Sequence, residues 1–182
     1  MKRTHTWMFL LALSVCGGAH AERADATKPI DIEANQMAYD DVKQINTFTG
    51  NVVLTRGSLI MKGEKLVVTQ DPAGYQYATL YAPAGGRATL RQKRDAGPDS
   101  WMEGEAGDRV EYDNKTEVAK FYVNAKVRLL EGKKVTDEVQ GQFISYDSRQ
   151  EYYSVNNTPS GASQPGAGRI RATIQPRNTG TP

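Results

Sequence analysis

The amino-acid sequence predicts an all-β fold, a rolled antiparallel stack of short strands. Three observations carry this. Apolar and polar residues alternate in Ile30-Asp31-Ile32 and along Val123-Asn124-Ala125-Lys126-Val127-Arg128-Leu129, the period-two pattern of a half-buried strand. Turn-forming residues recur at Asp71-Pro72-Ala73-Gly74, Pro83-Ala84-Gly85-Gly86, Asp95-Ala96-Gly97-Pro98 and Asp113-Asn114, with a spacing of roughly 8–12 residues that suits an antiparallel stack. No window carries a 3.6-residue apolar stripe over three turns, so no helix is expected. A length of 182 residues suits one domain, or at most two small ones.

Taken in order, the chain opens with Lys2 and Arg3, then a stretch from Trp7 to Cys16 that is apolar apart from Ser14, then Gly17-Gly18-Ala19-His20-Ala21. This reads as a signal peptide over residues 1–21, cleaved after Ala21. Its apolar run falls short of the roughly 20 residues that span a bilayer. Two other readings are an uncleaved membrane anchor and an acylated Cys16; Val15 is bulky for the latter. Residues 22–29 are polar, end at Pro29 and are expected to be flexible. Residues 30–176 form the domain. Within it, residues 158–168 are a Gly/Pro/Ser loop, followed by a last short strand with Ile170, Ala172 and Ile174 on one face. Residues 177–182 read as a disordered tail. Asn156-Asn157-Thr158 fits a glycosylation sequon, with Pro159 following; chance is the simpler reading.

Removal of the signal segment changes the chemistry available. The formal charge of +2 falls to zero, because Lys2 and Arg3 leave and no acid does. A neutral chain lacks the basic footprint of a nucleic-acid binder. Cys16, His5 and His20 leave as well, and they are the chain's only cysteine and histidines. A thiol nucleophile, a Ser-His-Asp triad, a His or Cys metal site and a disulfide are thereby excluded. Phosphate-cradling and dinucleotide glycine motifs are absent, as is EF-hand spacing. Neither a cofactor nor a metal is expected. Asp40-Asp41 is read as an exposed turn in preference to a ligand pair. A carboxylate-based carbohydrate hydrolase using Glu103, Glu105 or Asp108 is the remaining catalytic alternative; the expectation is that the protein is not an enzyme.

An internal repeat is the strongest signal. Ala34-Asn35-Gln36-Met37-Ala38-Tyr39-Asp40, Gly63-Glu64-Lys65-Leu66-Val67-Val68-Thr69, Gly107-Asp108-Arg109-Val110-Glu111-Tyr112-Asp113 and Gly141-Gln142-Phe143-Ile144-Ser145-Tyr146-Asp147 share one order. A small residue comes first, an aliphatic residue or Met three positions on, and Tyr or Val two further. The latter two fall on the same side of a strand. In three copies Asp follows, where the chain should turn. A longer echo matches Tyr39-Asp40, Phe48 and Asn51 with Tyr112-Asp113, Phe121 and Asn124, so one β unit is used twice.

The segments Ile30-Asp31-Ile32-Glu33-Ala34, Phe48-Thr49-Gly50-Asn51-Val52-Val53-Leu54-Thr55-Arg56-Gly57 and Ile60-Met61-Lys62-Gly63-Glu64-Lys65-Leu66 resemble the OstA-like family of lipopolysaccharide-transport proteins. The second half repeats the pattern through Glu103-Gly104-Glu105-Ala106 and Gly141 to Tyr146, with Val123 where the first copy has Gly50. The resemblance covers about residues 28–176. It implies a twisted, slightly open antiparallel β-jellyroll whose apolar interior holds lipopolysaccharide acyl chains in the periplasm. It also implies head-to-tail oligomers that bridge an inner-membrane lipopolysaccharide transporter complex and an outer-membrane lipopolysaccharide assembly complex. A membrane-anchored transport component sharing the domain is the alternative.

The residues are compatible with that role. Each CH₂ moved out of water is worth about 0.8 kcal/mol, so ten amount to roughly 8 kcal/mol. Candidates for the lining are Ile32, Met37, Tyr39, Phe48, Val52, Leu54, Met61, Leu66, Val68, Val110, Tyr112, Phe121, Val123, Val127, Leu129, Ile144 and Tyr146. Whether they hold lipid or pack one another is left open by the sequence. Ile30 and Ile32 mark the first edge strand, and Ile170, Ala172 and Ile174 the last. Pairing one edge with the other on a second copy gives a contact that does not close, and hence filaments.

Overall fold

The computed structural model describes Asp25 and residues 28–97 and 99–176. The expected signal peptide (1–21) and tail (177–182) lie outside the described residues. Among the described residues twelve strands follow one another: β1 (Asp31–Glu33), β2 (Gln36–Asp40), β3 (Ile45–Arg56), β4 (Leu59–Gln70), β5 (Gln76–Tyr81), β6 (Ala88–Lys93), β7 (Ser100–Ala106), β8 (Arg109–Asp113), β9 (Val118–Glu131), β10 (Lys134–Asp147), β11 (Tyr152–Asn156) and β12 (Arg171–Ile174). Every pairing between them is antiparallel.

The long strands β3, β4, β9 and β10 organise the molecule, because each pairs with different partners along its two halves. One half of β3 pairs with β2 and the other with β1; β4 likewise divides between β5 and β6, β9 between β8 and β7, and β10 between β11 and β12. The sheet therefore folds into two layers of eight. The first runs β2, β3, β4, β5, β8, β9, β10, β11; the second runs β1, β3, β4, β6, β7, β9, β10, β12. The chain passes between layers along a common waist, either inside a long strand or in the links β1–β2, β5–β6, β7–β8 and β11–β12. The result is an antiparallel β-jellyroll, as predicted.

The internal repeat maps onto this plan. Residues 31–81 and 104–156 each supply three crossings, through one short-strand link and two long strands, and the small residues Ala34, Gly63, Gly107 and Gly141 of the motif sit at the waist. In β3 the crossing is a bulge at Gly50-Asn51, with φ of +87° and +48°. Gly50 suits it because a residue without Cβ enters the left-handed region freely. In β9 the same bulge forms at Val123-Asn124, with φ of +66° and +49°. Val123 thus adopts the conformation despite its branched side chain, an uncommon placement. Hydrogen bonds hold it there: the Gly107 N–H donates to the Val123 carbonyl (2.7 Å), Asp108 N–H to Tyr122 (3.1 Å) and Arg87 Nη1 to the Asn124 carbonyl (2.7 Å).

The three Tyr-Asp motifs close turns of one kind. The carboxylates of Asp40, Asp113 and Asp147 accept from the N–H groups of Lys43 (3.0 Å), Lys115 (2.8 Å) and Gln150 (3.0 Å). Four residues after each Asp the backbone turns left-handed, at Gln44, Glu117 and Glu151. Asp41 serves the first turn too, accepting from the Tyr39 hydroxyl and Gln44 Nε2.

Side-chain hydrogen bonds tie down two irregular stretches where they are described. In residues 22–29, Asp25 is buried, and its carboxylate accepts from the Ser58 N–H (2.8 Å) and the Ser58 hydroxyl. In the 158–168 loop, Asn157 Nδ2 donates to the carbonyls of Gln164 (2.8 Å) and Gly168 (3.0 Å), and its Oδ1 accepts from the Gln164 N–H. Asn157, the middle residue of the sequon-like Asn156-Asn157-Thr158, is the loop's clamp.

Candidate functional site

Cross-strand register builds the inward faces row by row. Two rows run the width of the first layer. One is Met37, Phe48, Leu66, Leu80, Val110, Phe121, Ile144, Val155; the other is Tyr39, Asn46, Val68, Ala78, Tyr112, Ala119, Tyr146, Tyr153. Facing them, the second layer presents Ile32, Leu54, Met61, Leu90, Gly104, Val127, Val139, Ala172. Fourteen of the residues singled out from sequence stand in these three rows, and Val52 is buried beside them.

The middle of this interior is filled. Met61, Leu66, Val110, Phe121, Val127, Ile144 and Tyr146 are fully buried and pack against one another in a single cluster. The Phe121 ring reaches across from the first layer to Gly104 of the second; a Cβ at Gly104 would stand 2.2 Å from its Cε1 and Cζ. Toward both ends the rows lose cover. Met37 and Tyr39 face inward but are 57% and 52% exposed, and Ile170 and Ile174 are 45% and 68% exposed. The expectation that Met37 and Tyr39 lie inside is corrected: β2 ends its row, pairing only with β3 among the described residues. Phe48, Ile32 and Leu129 are half-buried against the core. Val123 is half-buried at the bulge and stands outside that cluster.

A cavity of about 220 Å³ remains at the β1–β2 end, between the layers. Ile30, Ile32, Phe48, Leu54, Met61 and Val68 form its apolar wall, and Asn46, Arg56, Gln76 and Asn114 its polar rim. At the rim Arg56 Nη1, in the second layer, donates to Asn114 Oδ1 in the first at 2.5 Å. A second link between layers is the ion pair of Arg94 and Glu151, 2.8 Å. Both lie opposite the waist, where the two layers would part.

The terminal strands take these positions. Among the described residues β1 and β12 each pair on one side only, and so do β2 and β11, which the sequence did not mark as edges. Ile30 and Ile170 stand one residue outside β1 and β12.

The polar chemistry lies on the outer faces. Glu103 and Glu105, considered for catalysis, pair with Arg91 (2.9 Å), Arg128 (3.8 Å) and Lys126 (3.3 Å), and Asp108 pairs with Arg109 (2.6 Å). The Gln140 amide and the Arg128 guanidinium hold the Glu138 carboxyl below the usual range. The Arg109 guanidinium lies over the Tyr122 ring at 3.7 Å. Partial burial, together with a bond to Glu111 (2.8 Å), pushes the Tyr122 hydroxyl up to about 12.

Sequence reasoning missed Leu59, Leu80, Leu90, Met102 and Val139, all buried. The alternation Ala88-Thr89-Leu90-Arg91-Gln92 and Ser100-Trp101-Met102-Glu103-Gly104 contained the signal for two of them. It is masked because small residues point inward there while Trp101 points out, beneath Arg91 at 4.3 Å.

Comparison with known proteins bears on this interior. The lipopolysaccharide export system protein LptA of Haemophilus influenzae is 29% identical over 158 residues, covering 86% of this chain and 87% of its own length. LptA of Escherichia coli K12 is 32% identical over 137 residues, covering 75% and 68%. The crystal structure of LptH, described as the LptA-homologous periplasmic component of the lipopolysaccharide transport device of Pseudomonas aeruginosa, superposes with a TM-score of 0.71. It covers 84% of this chain and 99% of that one at 24% identity, a likeness of fold. The family described as LptA/(LptD N-terminal domain) LPS transport protein matches residues 31–152. From the first strand to the start of β11 the chain follows that pattern, and it belongs to this family of lipopolysaccharide transport proteins.

Proposed function

We propose that this protein is a periplasmic, non-catalytic carrier that shields lipopolysaccharide acyl chains between its two layers. Copies join end to end into a bridge that receives lipid from an inner-membrane transporter complex and delivers it to an outer-membrane assembly complex. The observation that carries this reading is the inward face itself, which apart from Asn46 is built of apolar and aromatic residues and emerges uncovered at both terminal edges. An apolar tract open at both ends is costly in water for a lone molecule and favourable when lipid or another copy covers it.

The strand count supports the end-to-end arrangement. Each layer has eight strands in antiparallel alternation, so β1 and β12 run in opposite directions, as do β2 and β11. A second copy added in line continues both layers as antiparallel sheet, the more favourable ladder. Its β1 would place Ile32 beside Ala172 and Glu33 beside Arg171, extending the inward row of one copy into the next.

Acyl entry requires the filled middle to open, since Phe121 already touches the opposite layer. The cavity at the β1–β2 end is the natural starting point. A photo-crosslinker at Phe48 or Val68, both on the cavity wall, is expected to capture lipopolysaccharide in cells; one at the outward, exposed Lys65 is not. Equal capture at both kinds of position would refute the interior route.

A further inference from the structure

The arginines of the described residues sort by partner. Arg91, Arg94, Arg109, Arg128 and Arg149 each pair with a carboxylate, and Arg56 bonds to Asn114. The three that remain, Arg87, Arg169 and Arg171, have no carboxylate partner among the described residues, and all three line one open cavity. It measures about 330 Å³ and lies at the waist beside β12. No Asp or Glu lines it. Arg87 spends one donor on the Asn124 carbonyl, which leaves the rest of its five N–H groups available.

The cavity is held in shape by amide pairs. Gln142 Nε2 donates to Asn124 Oδ1 (3.1 Å), and the Asn157 clamp on Gly168 fixes the backbone that carries Arg169. Ile170 sits between Arg169 and Arg171 and is partly exposed, at the end of the apolar interior. Three guanidiniums around one concavity, of which Arg87 and Arg169 stay without an acid even when a second copy brings its Glu33 beside Arg171, match an amphiphile with an anionic head. Guanidinium forks bind phosphate oxygens bidentately with charge-assisted bonds. We propose that this cavity binds phosphate groups of the lipopolysaccharide headgroup while the acyl chains lie inside. The source of the phosphate rests on the carrier reading; the anion site itself rests on the arginines.

The test is equilibrium binding of intact lipopolysaccharide, enzymatically dephosphorylated lipopolysaccharide and inorganic phosphate. The proteins are wild type, Arg169→Glu, and the double variant Arg87→Gln with Arg169→Gln. None of these substitutions alters a paired strand, and unchanged binding of the dephosphorylated lipid confirms that each variant is folded. Dephosphorylation is expected to weaken wild-type binding about tenfold or more, and the double variant to lose a similar factor for intact lipid only. Equal binding of intact lipid by wild type and both variants would overturn the site. Variant-sensitive binding of inorganic phosphate, with no preference for phosphorylated lipid, would overturn the headgroup assignment. If no form of the lipid binds any of the proteins, the carrier reading fails and takes the headgroup assignment with it, whatever inorganic phosphate does.

Discussion

Replacing Gly104 by Ala tests whether the two layers truly meet through Phe121. The added Cβ would lie 2.2 Å from Phe121 Cε1 and Cζ and 3.1 Å from Cδ1, against about 3.5–4.0 Å for a comfortable carbon contact. The ring must retreat by more than an ångström. It has nowhere to go, since its row neighbours Val110 and Ile144 are fully buried as well. Overpacking of this kind costs about 1–3 kcal/mol, and the severity of the clash puts it near the top of that range. The lower backbone entropy of Ala in the unfolded chain returns roughly 0.5–1 kcal/mol. A net loss of about 2 kcal/mol is expected in urea unfolding, or roughly 4–8 °C in Tm for a domain of this size. Phe121→Leu alone leaves a void and also destabilises. In the double variant the new methyl occupies part of that void, so the costs should fall short of additive by about 1 kcal/mol or more. Additive losses, or a neutral Gly104→Ala, would refute the contact and with it the closed middle of the interior.

Other outcomes follow from the same geometry. Gly50→Val should cost about 2 kcal/mol or more, because the left-handed backbone disfavours a Cβ by about 1–2 kcal/mol and that atom would press on the Asn35 side chain at 2.5 Å. Val123→Gly should change stability by less than about 1 kcal/mol, relief of strain offsetting lost burial and chain entropy; equal costs at the two sites in chemical denaturation would contradict the equivalence of the bulges. Folding raises the Tyr122 pKa from its ordinary 10 to about 12, so its contribution is fully present below pH 10 and lost as pH rises through 12. The Tm gap between wild type and Tyr122→Phe should therefore narrow across that window, and a constant gap would speak against it. Ile32→Cys in one copy and Ala172→Cys in another should form an intermolecular disulfide under mild oxidation, since facing residues in a ladder lie within bridging range; monomers only, on non-reducing gels, would rule out the in-line register.

Much of this was legible in the sequence because the motif residues do two jobs at fixed spacing. Leu66 and Val68, Val110 and Tyr112, and Ile144 and Tyr146 are two apart and so share a face, while Asp113 and Asp147 follow a Tyr and close a turn. What was not legible depends on the opposite layer. Gly104 looks like a weak strand residue until Phe121 is placed against it. Met37 carries the same motif as Leu66 yet lies uncovered, because burial depends on how many rows flank a strand, a property of topology. Val123 gave no sign of a left-handed backbone, since the hydrogen bonds that hold it come from Arg87, Gly107 and Asp108, distant in the chain. That Arg87, Arg169 and Arg171 have no carboxylate partner among the described residues could be recognised only once the other arginines had found their acids.

The even number of strands in each layer also constrains how such a protein can change in length. A duplication or loss of two crossings leaves the terminal strands antiparallel, whereas an odd number would reverse one of them and put parallel neighbours at every junction of the proposed end-to-end arrangement. The strand number of such a module is thus quantised. Evolution can lengthen or shorten each module by whole hairpins, and the twofold echo at an offset of 73 residues, as from Tyr39-Asp40 to Tyr112-Asp113, is what one such addition of four crossings would leave behind.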